Sequence, residues 1–353
     1  MNATAVASLP IVLLYLLALL RSWSAPEVIS ATPDHSAHSG ATVPDPTPRR
    51  IVDLGTLPYF LPIEGSTDRL VALTQSQLDQ AGGIGMESYF PALGHLPGIQ
   101  MPTGPEQLMT YRADAILATK DWADMFRPFG FPRLLEIDYD PRVSMNRKLA
   151  MWDRLGGMLG KQARTRSIAV AYANRRRGLE VSLRDQPQAK VAILVGGQGY
   201  WNIAGDGYYL NDILSAVKAT NVATTFLEDP EVDLEHLAVL DPPVILLNSQ
   251  PRDSALPEQI YRDPNWQILR AVRDRRVYKM PRFAGFLGPV EEPLLLQWLA
   301  EVLHPALPHR LRAQYAQAYQ IGYGVTPSDA EIDRMIHFDA NRTSTDYLRF
   351  AAH

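Results

Sequence analysis

The stretch Arg164-Thr165-Arg166-Ser167-Ile168-Ala169-Val170-Ala171-Tyr172-Ala173-Asn174-Arg175-Arg176-Arg177-Gly178-Leu179-Glu180-Val181-Ser182-Leu183-Arg184 decides the fold. It holds no proline and one glycine, and it is rich in Ala, Arg, Leu and Glu, residues that lose little on entering a helix. Ile168, Ala171, Tyr172, Leu179 and Leu183 recur at partial helical spacing. A helix of this length spans on the order of 30 Å, the width of a small domain. It lies near the middle of the chain, and the pattern on either side of it is different.

On its amino-terminal side, short apolar runs alternate with helical stretches. Ile51-Val52-Asp53-Leu54, Arg69-Leu70-Val71-Ala72-Leu73, Ala113-Asp114-Ala115-Ile116-Leu117-Ala118 and Arg133-Leu134-Leu135-Glu136-Ile137 read as strands. On its carboxyl side the pattern restarts with Lys190-Val191-Ala192-Ile193-Leu194-Val195, then Pro243-Val244-Ile245-Leu246-Leu247 and Arg276-Val277-Tyr278-Lys279-Met280. Glu292 to Leu303 reads as a helix with Leu294, Leu295, Trp298, Leu299 and Val302 on one stripe. Strands alternating with helices argue mostly parallel sheets with helices on their faces. The expected fold class is therefore α/β, with two lobes joined by a single long helix.

A local repeat supports two related halves. Glu106 is followed by Leu108 and then by the strand Ala115-Ile116-Leu117; Glu235 is followed at the same offsets by Leu237 and by Val244-Ile245-Leu246. The organisation expected is a signal peptide at 1–24, a linker at 25–49, an N-terminal lobe at 50–162, the bridging helix at 163–186, a C-terminal lobe at 187–340 and a tail at 341–353.

The chain of 353 residues is 46% apolar and 20% charged, an ordinary globular composition with length for about two domains. Its net charge of −4 gives no basic footprint for nucleic acid. The apolar run of 12 residues, Leu9 to Leu20, is too short to span a bilayer and fits a secretory signal. Ser22 and Ser24 place small residues at −3 and −1, so cleavage is expected before Ala25 and the mature protein in a Gram-negative periplasm. No Lys or Arg precedes the run, and an uncleaved anchor is the alternative. There is no cysteine. A chain this long folds without staples, and attachment through a lipidated N-terminal cysteine is excluded. The linker mixes Pro26, Pro33, Pro44, Pro46 and Pro48 with small and polar residues, and His35 and His38 on it make at most a weak metal site.

Enzyme signatures are missing: no H-E-x-x-H helix, no G-x-S-x-G elbow, no metal-ligand cysteine cluster. His95 and His236 are isolated, and Glu291-Glu292 sits at a helix start, where the dipole favours acids. The glycine-rich Gly196-Gly197-Gln198-Gly199 has neither dinucleotide nor P-loop spacing. The loops after the strands are instead rich in aromatics and arginines: Tyr59 and Phe60, Tyr89 and Phe90, Trp122, then Tyr200, Trp201, Tyr208 and Tyr209, Arg252, and Arg282 with Phe283. Tyrosine and tryptophan offer contact area with a polar handle, and arginine pairs with anionic oxygens. Tyr59, Tyr89, Trp122, Tyr200, Trp201, Tyr208, Arg252 and Arg282 are the candidate ligand-binding residues. The alternative for each is packing of a loop onto its lobe.

The order of these segments resembles the periplasmic substrate-binding proteins of ABC importers for iron–siderophore, haem or vitamin B12. The resemblance covers nearly all of residues 50–337 and is carried by Arg50-Ile51-Val52-Asp53-Leu54 with Asp68-Arg69-Leu70-Val71-Ala72-Leu73, and by Gly104-Pro105-Glu106-Gln107-Leu108 with Arg112-Ala113-Asp114-Ala115-Ile116-Leu117. Asn211-Asp212-Ile213-Leu214 with Asn221-Val222-Ala223, Trp298-Leu299-Ala300 with Leu303-His304-Pro305, and Tyr319-Gln320-Ile321-Gly322-Tyr323-Gly324-Val325-Thr326 complete it. It implies two α/β lobes with cargo in the cleft between them and little hinge motion, and it implies no enzyme activity and no resident cofactor. The cargo it implies is a metal chelate, a ferric siderophore first, with haem or a corrinoid as further choices. It implies an ABC permease with its ATPase as partner, and a monomeric chain. In the vitamin B12 branch a glutamate on each lobe docks on the permease, and the matching positions are Glu106 and Glu235. Thr103 to Glu106 also fits a capping box, and Asp233 and Glu235 put acids in a first helical turn. A metal-delivery or sensing protein without a dedicated importer is the second functional reading, and a secreted hydrolase the third.

Overall fold

The computed structural model describes residues 47–352, except 64, 132, 138–144, 198–199, 207, 209, 227–228, 249–255 and 286. The signal peptide, nearly all of the linker and Arg252 lie outside the described residues. Among the described residues no helix is long and apolar enough to cross a membrane.

The stretch that decides the fold forms the bridging helix, Gln162–Leu183, with Thr165, Ile168, Tyr172, Leu179 and Leu183 buried. Before it, β1 (Ile51–Leu54), β2 (Leu70–Thr74), β3 (Gly98–Ile99), β4 (Ala115–Ala118) and β5 (Leu134–Glu136) form one sheet in the order β3-β2-β1-β4-β5. Every pairing in it is parallel. The central strands β1 and β4 are buried along their whole length, because helices cover both faces; β4 accordingly reads as an unbroken apolar run, and β1 is interrupted by Asp53. After the bridging helix come β6 (Ala189–Gly197), β7 (Tyr200–Ile203), β8 (Ala219–Asn221), β9 (Ile245–Asn248) and β10 (Val277–Lys279). Strands β10, β9, β6 and β8 pair in parallel, and β7 folds back antiparallel on β6.

Three elements differ from the sequence reading. Gly196 and Gly197 of the glycine-rich segment end β6, paired antiparallel with Trp201 and Tyr200 of β7, and do not lie in a loop. The helix Glu291–Leu303 is buried on all sides, not along one stripe, because it runs between the bridging helix and the C-terminal helices. The stretch after 340 is not a loose tail: Tyr347 (1% exposed) and Phe350 (3%) pack into the core, and the Trp298 indole donates to the Tyr347 hydroxyl at 2.9 Å.

The lobes are tied at many points besides the bridging helix. Arg164 on that helix donates to the carbonyls of Pro62, Ile321 and Gly322. Within the N-terminal lobe, Trp152 donates to the Tyr59 carbonyl at 2.9 Å. A Cβ on Gly288 would lie 2.4 Å from the Pro58 carbonyl oxygen, so only glycine permits this close approach of the two lobes.

Candidate functional site

Open parallel sheets offer ligands the space beyond the carboxyl ends of their strands. In the N-terminal lobe that space is a cavity of about 390 Å³. Four loops build it: Leu54-Gly55 and Pro58 after β1, Thr74 to Gln80 after β2, Ile99 to Met101 at β3, and Thr119 with Trp122 after β4. Gln75, Ser76, Gln77, Gln80, Gln100 and Thr119 supply amides and hydroxyls, while Trp122 and Met101 supply an apolar wall. Trp122 is held by a stacked contact with Phe126, ring centroids 6.4 Å apart.

The floor is polar and buried. Asp53, at the end of β1, accepts through one oxygen from the Gly55 and Thr56 amides (3.1 and 2.7 Å) and from the Thr56 hydroxyl (2.8 Å). Its second oxygen is buried without a partner among the described residues, as is the amide nitrogen of Gln77. Burial pushes the Asp53 carboxyl up to about 6, partly offset by these donors. Gly55 holds the turn with φ +128, and a Cβ there would press on the Thr119 methyl at 3.0 Å. The floor is therefore pinned by one carboxylate and kept narrow by one glycine.

The candidate residues scatter around this geometry. Trp122 lines the cavity. Tyr59 does not reach it, being 5% exposed inside the short helix Leu57–Phe60, where its side chain joins the main core. Tyr89 and Arg282 come together at the lobe junction, around a smaller cavity of about 160 Å³ shared with Glu331 and Arg334. There the Tyr89 hydroxyl donates to Glu331 at 2.9 Å, and Arg282 donates to the Gly83 carbonyl at 3.0 Å. Tyr208 accepts from Asn248 at 2.6 Å, at the end of β9. Tyr200 is half exposed on the hairpin, and Trp201 beside it packs edge-on against Trp266 at 5.7 Å. Trp201 shares its sheet face with Ile203 and Leu194, in the outer core of the C-terminal lobe.

Glu106 and Glu235 are both exposed at the second position of a short helix, and Leu108 and Leu237 behind them are buried. The capping box expected at Thr103 is not formed. The helix begins at Gly104, so Glu106 falls one position short of the reciprocal bond, and the Thr103 hydroxyl donates to Gln107 instead. Glu291 and Glu292 stand in the first turn of their helix, as expected, and both are buried. Glu291 accepts from the Tyr323 hydroxyl at 2.5 Å and Glu292 from the Tyr172 hydroxyl at 2.5 Å.

Aromatic residues were a poor guide to the cavity. Its lining is mostly Gln, Ser and Thr, types that look in sequence like ordinary surface. The available signal was position: Thr74-Gln75-Ser76-Gln77 and Thr119 directly follow buried strands.

Residues 148–283 match the family described as periplasmic binding protein. Over 105 residues the chain is 34% identical to the molybdate-binding protein MolA of Haemophilus influenzae, a match that spans 29% of this chain and 29% of that relative. A periplasmic solute-binding protein of Veillonella parvula superposes with a TM-score of 0.70 at 20% identity, covering 84% of this chain and 94% of that one. A periplasmic haem-binding protein of Pseudomonas aeruginosa gives 0.57 at 23% identity, covering 74% and 94%. The solved structures share the fold, and the family match covers the bridging helix and most of the C-terminal lobe. Residues 148–283 are thus similar in sequence to the periplasmic binding protein family, and the described chain shares the fold of the solved periplasmic solute-binding protein.

Proposed function

We propose that this protein is the periplasmic solute-binding component of an ABC importer, and that it holds a metal chelate against the carboxyl edge of the N-terminal sheet. The observation that carries the reading is the 390 Å³ cavity, with Trp122 and Met101 on one side and amides and hydroxyls on the other. Such a lining grips the outer oxygens and apolar faces of a ligand whose metal is already chelated. Tyr89 enters the proposal as a further contact at the lobe junction, and Arg252, Arg282, Tyr200, Trp201 and Tyr208 as contacts from the facing lobe. Native mass spectrometry of the protein from its own host, with the metal identified, is the test. A ferric siderophore or haem in the released cargo is expected; an apo protein that binds neither on titration overturns the chelate.

A second reading has a specific ground. The sequence match to a molybdate-binding protein, and a lining of neutral donors, also fit a tetrahedral oxyanion. Calorimetry with sodium molybdate separates the two, since a chelate site of this volume binds a bare oxyanion weakly.

Delivery rests on Glu106 and Glu235. Both stand exposed at equivalent helix starts, rigid places from which to offer a carboxylate to arginines of a permease. Glu106→Ala with Glu235→Ala is expected to fold and bind cargo normally and to leave the importer's ATPase unstimulated. Full transport by the double variant removes the docking assignment. Export by a cleaved signal predicts a mature amino terminus at Ala25, read by N-terminal sequencing.

A further inference from the structure

Two adjacent arginines of the bridging helix meet different fates. Arg176 is paired: its Nε donates to Glu180 at 3.2 Å and its Nη1 lies 3.6 Å from Glu292. Arg175 has no carboxylate partner among the described residues, and its Nη2 is buried with no hydrogen bond. Arg175 is half-buried, and burial lowers its pKa with no acid nearby to offset this.

Arg175 faces a groove of about 410 Å³ between the bridging helix, the helix Glu291–Leu303 and the helix Leu311–Tyr323. This groove shares no residue with the cargo cavity. A second arginine, Arg310, lines it, together with the amides of Gln314 and Gln317. No acidic residue lines it. Glu301 lies outside the lining: one of its oxygens accepts from the Gln297 side chain at 2.6 Å and from the Arg310 amide at 2.9 Å, and the other is buried without a partner among the described residues. Leu307 and Ile321 give the groove an apolar wall. At Gly178, one turn beyond Arg175, an added Cβ would meet nothing within 4 Å, so the space is open where a side chain normally stands.

We propose that this groove is a second binding site, for a small organic anion whose carboxylate or phosphate is held by Arg175 and Arg310 while its apolar part lies against Leu307 and Ile321. Guanidinium groups bind such oxyanions in bidentate geometry. The site lies on the one helix that joins the lobes, outside the cleft, so its occupancy is independent of cargo identity.

Calorimetry on the full mature chain tests this with two probes, inorganic phosphate and hexanoate, at ionic strength held constant with chloride. Saturable one-to-one binding of at least one probe is expected. A response to phosphate alone assigns a phosphate ligand; a response to hexanoate alone assigns a carboxylate with an apolar tail. Arg175→Gln is expected to weaken binding tenfold or more. Gly178→Leu, which fills the groove with a good helix former, is expected to abolish it with the urea midpoint maintained or raised. If Arg175→Gln fails to fold, Gly178→Leu alone decides. No saturable binding of either probe, or binding unchanged in the variants, overturns the proposal.

Discussion

In the N-terminal lobe the helix before β4 starts at Gly104 and Pro105, with no side chain capping it. In the C-terminal lobe the equivalent helix before β9 starts at Asp233, whose carboxylate accepts from the His236 amide at 2.9 Å. The caps differ, yet the glutamate sits at the second helical position in both, with a buried leucine two residues on. The lesson is that cap chemistry is interchangeable within this repeat, whereas the placement of an exposed carboxylate is held constant. The same contrast runs deeper into the lobes. The N-terminal sheet ends in an open, polar cavity walled by Trp122, while the C-terminal sheet carries a hairpin whose Trp201 is packed on Trp266. Each lobe also buries carboxylates with an unpartnered oxygen, Asp53 in the first and Glu291 and Glu301 in the second.

The buried carboxylates offer the largest expected effect. Burial pushes Glu291 up to about 8 and Asp53 to about 6. Both folded-state values lie above the unfolded ones. The stability they contribute is therefore complete below about pH 4 and is lost as pH rises through about 6 for Asp53 and about 8 for Glu291. Urea unfolding is expected to show up to about 5 kcal/mol more stability at pH 5 than at pH 8, most of it from Glu291. Glu291→Gln should flatten that slope; a wild-type slope of the opposite sign breaks the comparison.

The two tryptophans come next. Trp201→Ala is expected to cost about 2 kcal/mol of folding stability, from the lost packing on Trp266. Trp122→Ala should leave the urea midpoint nearly in place and weaken binding of the identified cargo by about 1–2 kcal/mol, roughly tenfold. The reverse pattern would move the cargo contact to the C-terminal hairpin.

The smallest effects separate the caps. Asp233→Ala is expected to cost about 1 kcal/mol of stability, as loss of a helix cap usually does. Glu106→Ala is expected to cost less than about 0.5 kcal/mol, since the Glu106 carboxylate caps nothing and stands exposed. A loss of 1 kcal/mol or more at Glu106 would mean that it stabilises its helix after all.

Much of the architecture was legible along the chain. The bridging helix announced itself by an uninterrupted, helix-favouring run, and the central strands by apolar segments bounded by turns. Both signals are local, because helix periodicity and strand burial are written in neighbouring residues. The short edge strands β3 and β8 carry too few residues for any period, and β7 was obscured by the glycines before it. The family match itself begins only at residue 148, so the reading of the N-terminal cavity rests on fold and chemistry.

The sequence alone therefore determined the two α/β halves, their order and the matching glutamates, because each of these depends on residues close together in the chain. Only the tertiary structure decided which side chains share a space. Gly55, Gln77, Gln100 and Trp122 stand far apart in sequence and meet because parallel strands deliver their carboxyl ends to one edge. Tyr59, a plausible contact by position, is turned into the core by the helix it helps to start. Arg175 and Arg176 are indistinguishable as neighbours in a basic run. One finds Glu180 and Glu292 and the other faces an open groove, because a helix turns its residues about 100° apart and the packed helices beside it decide which of them meets a carboxylate.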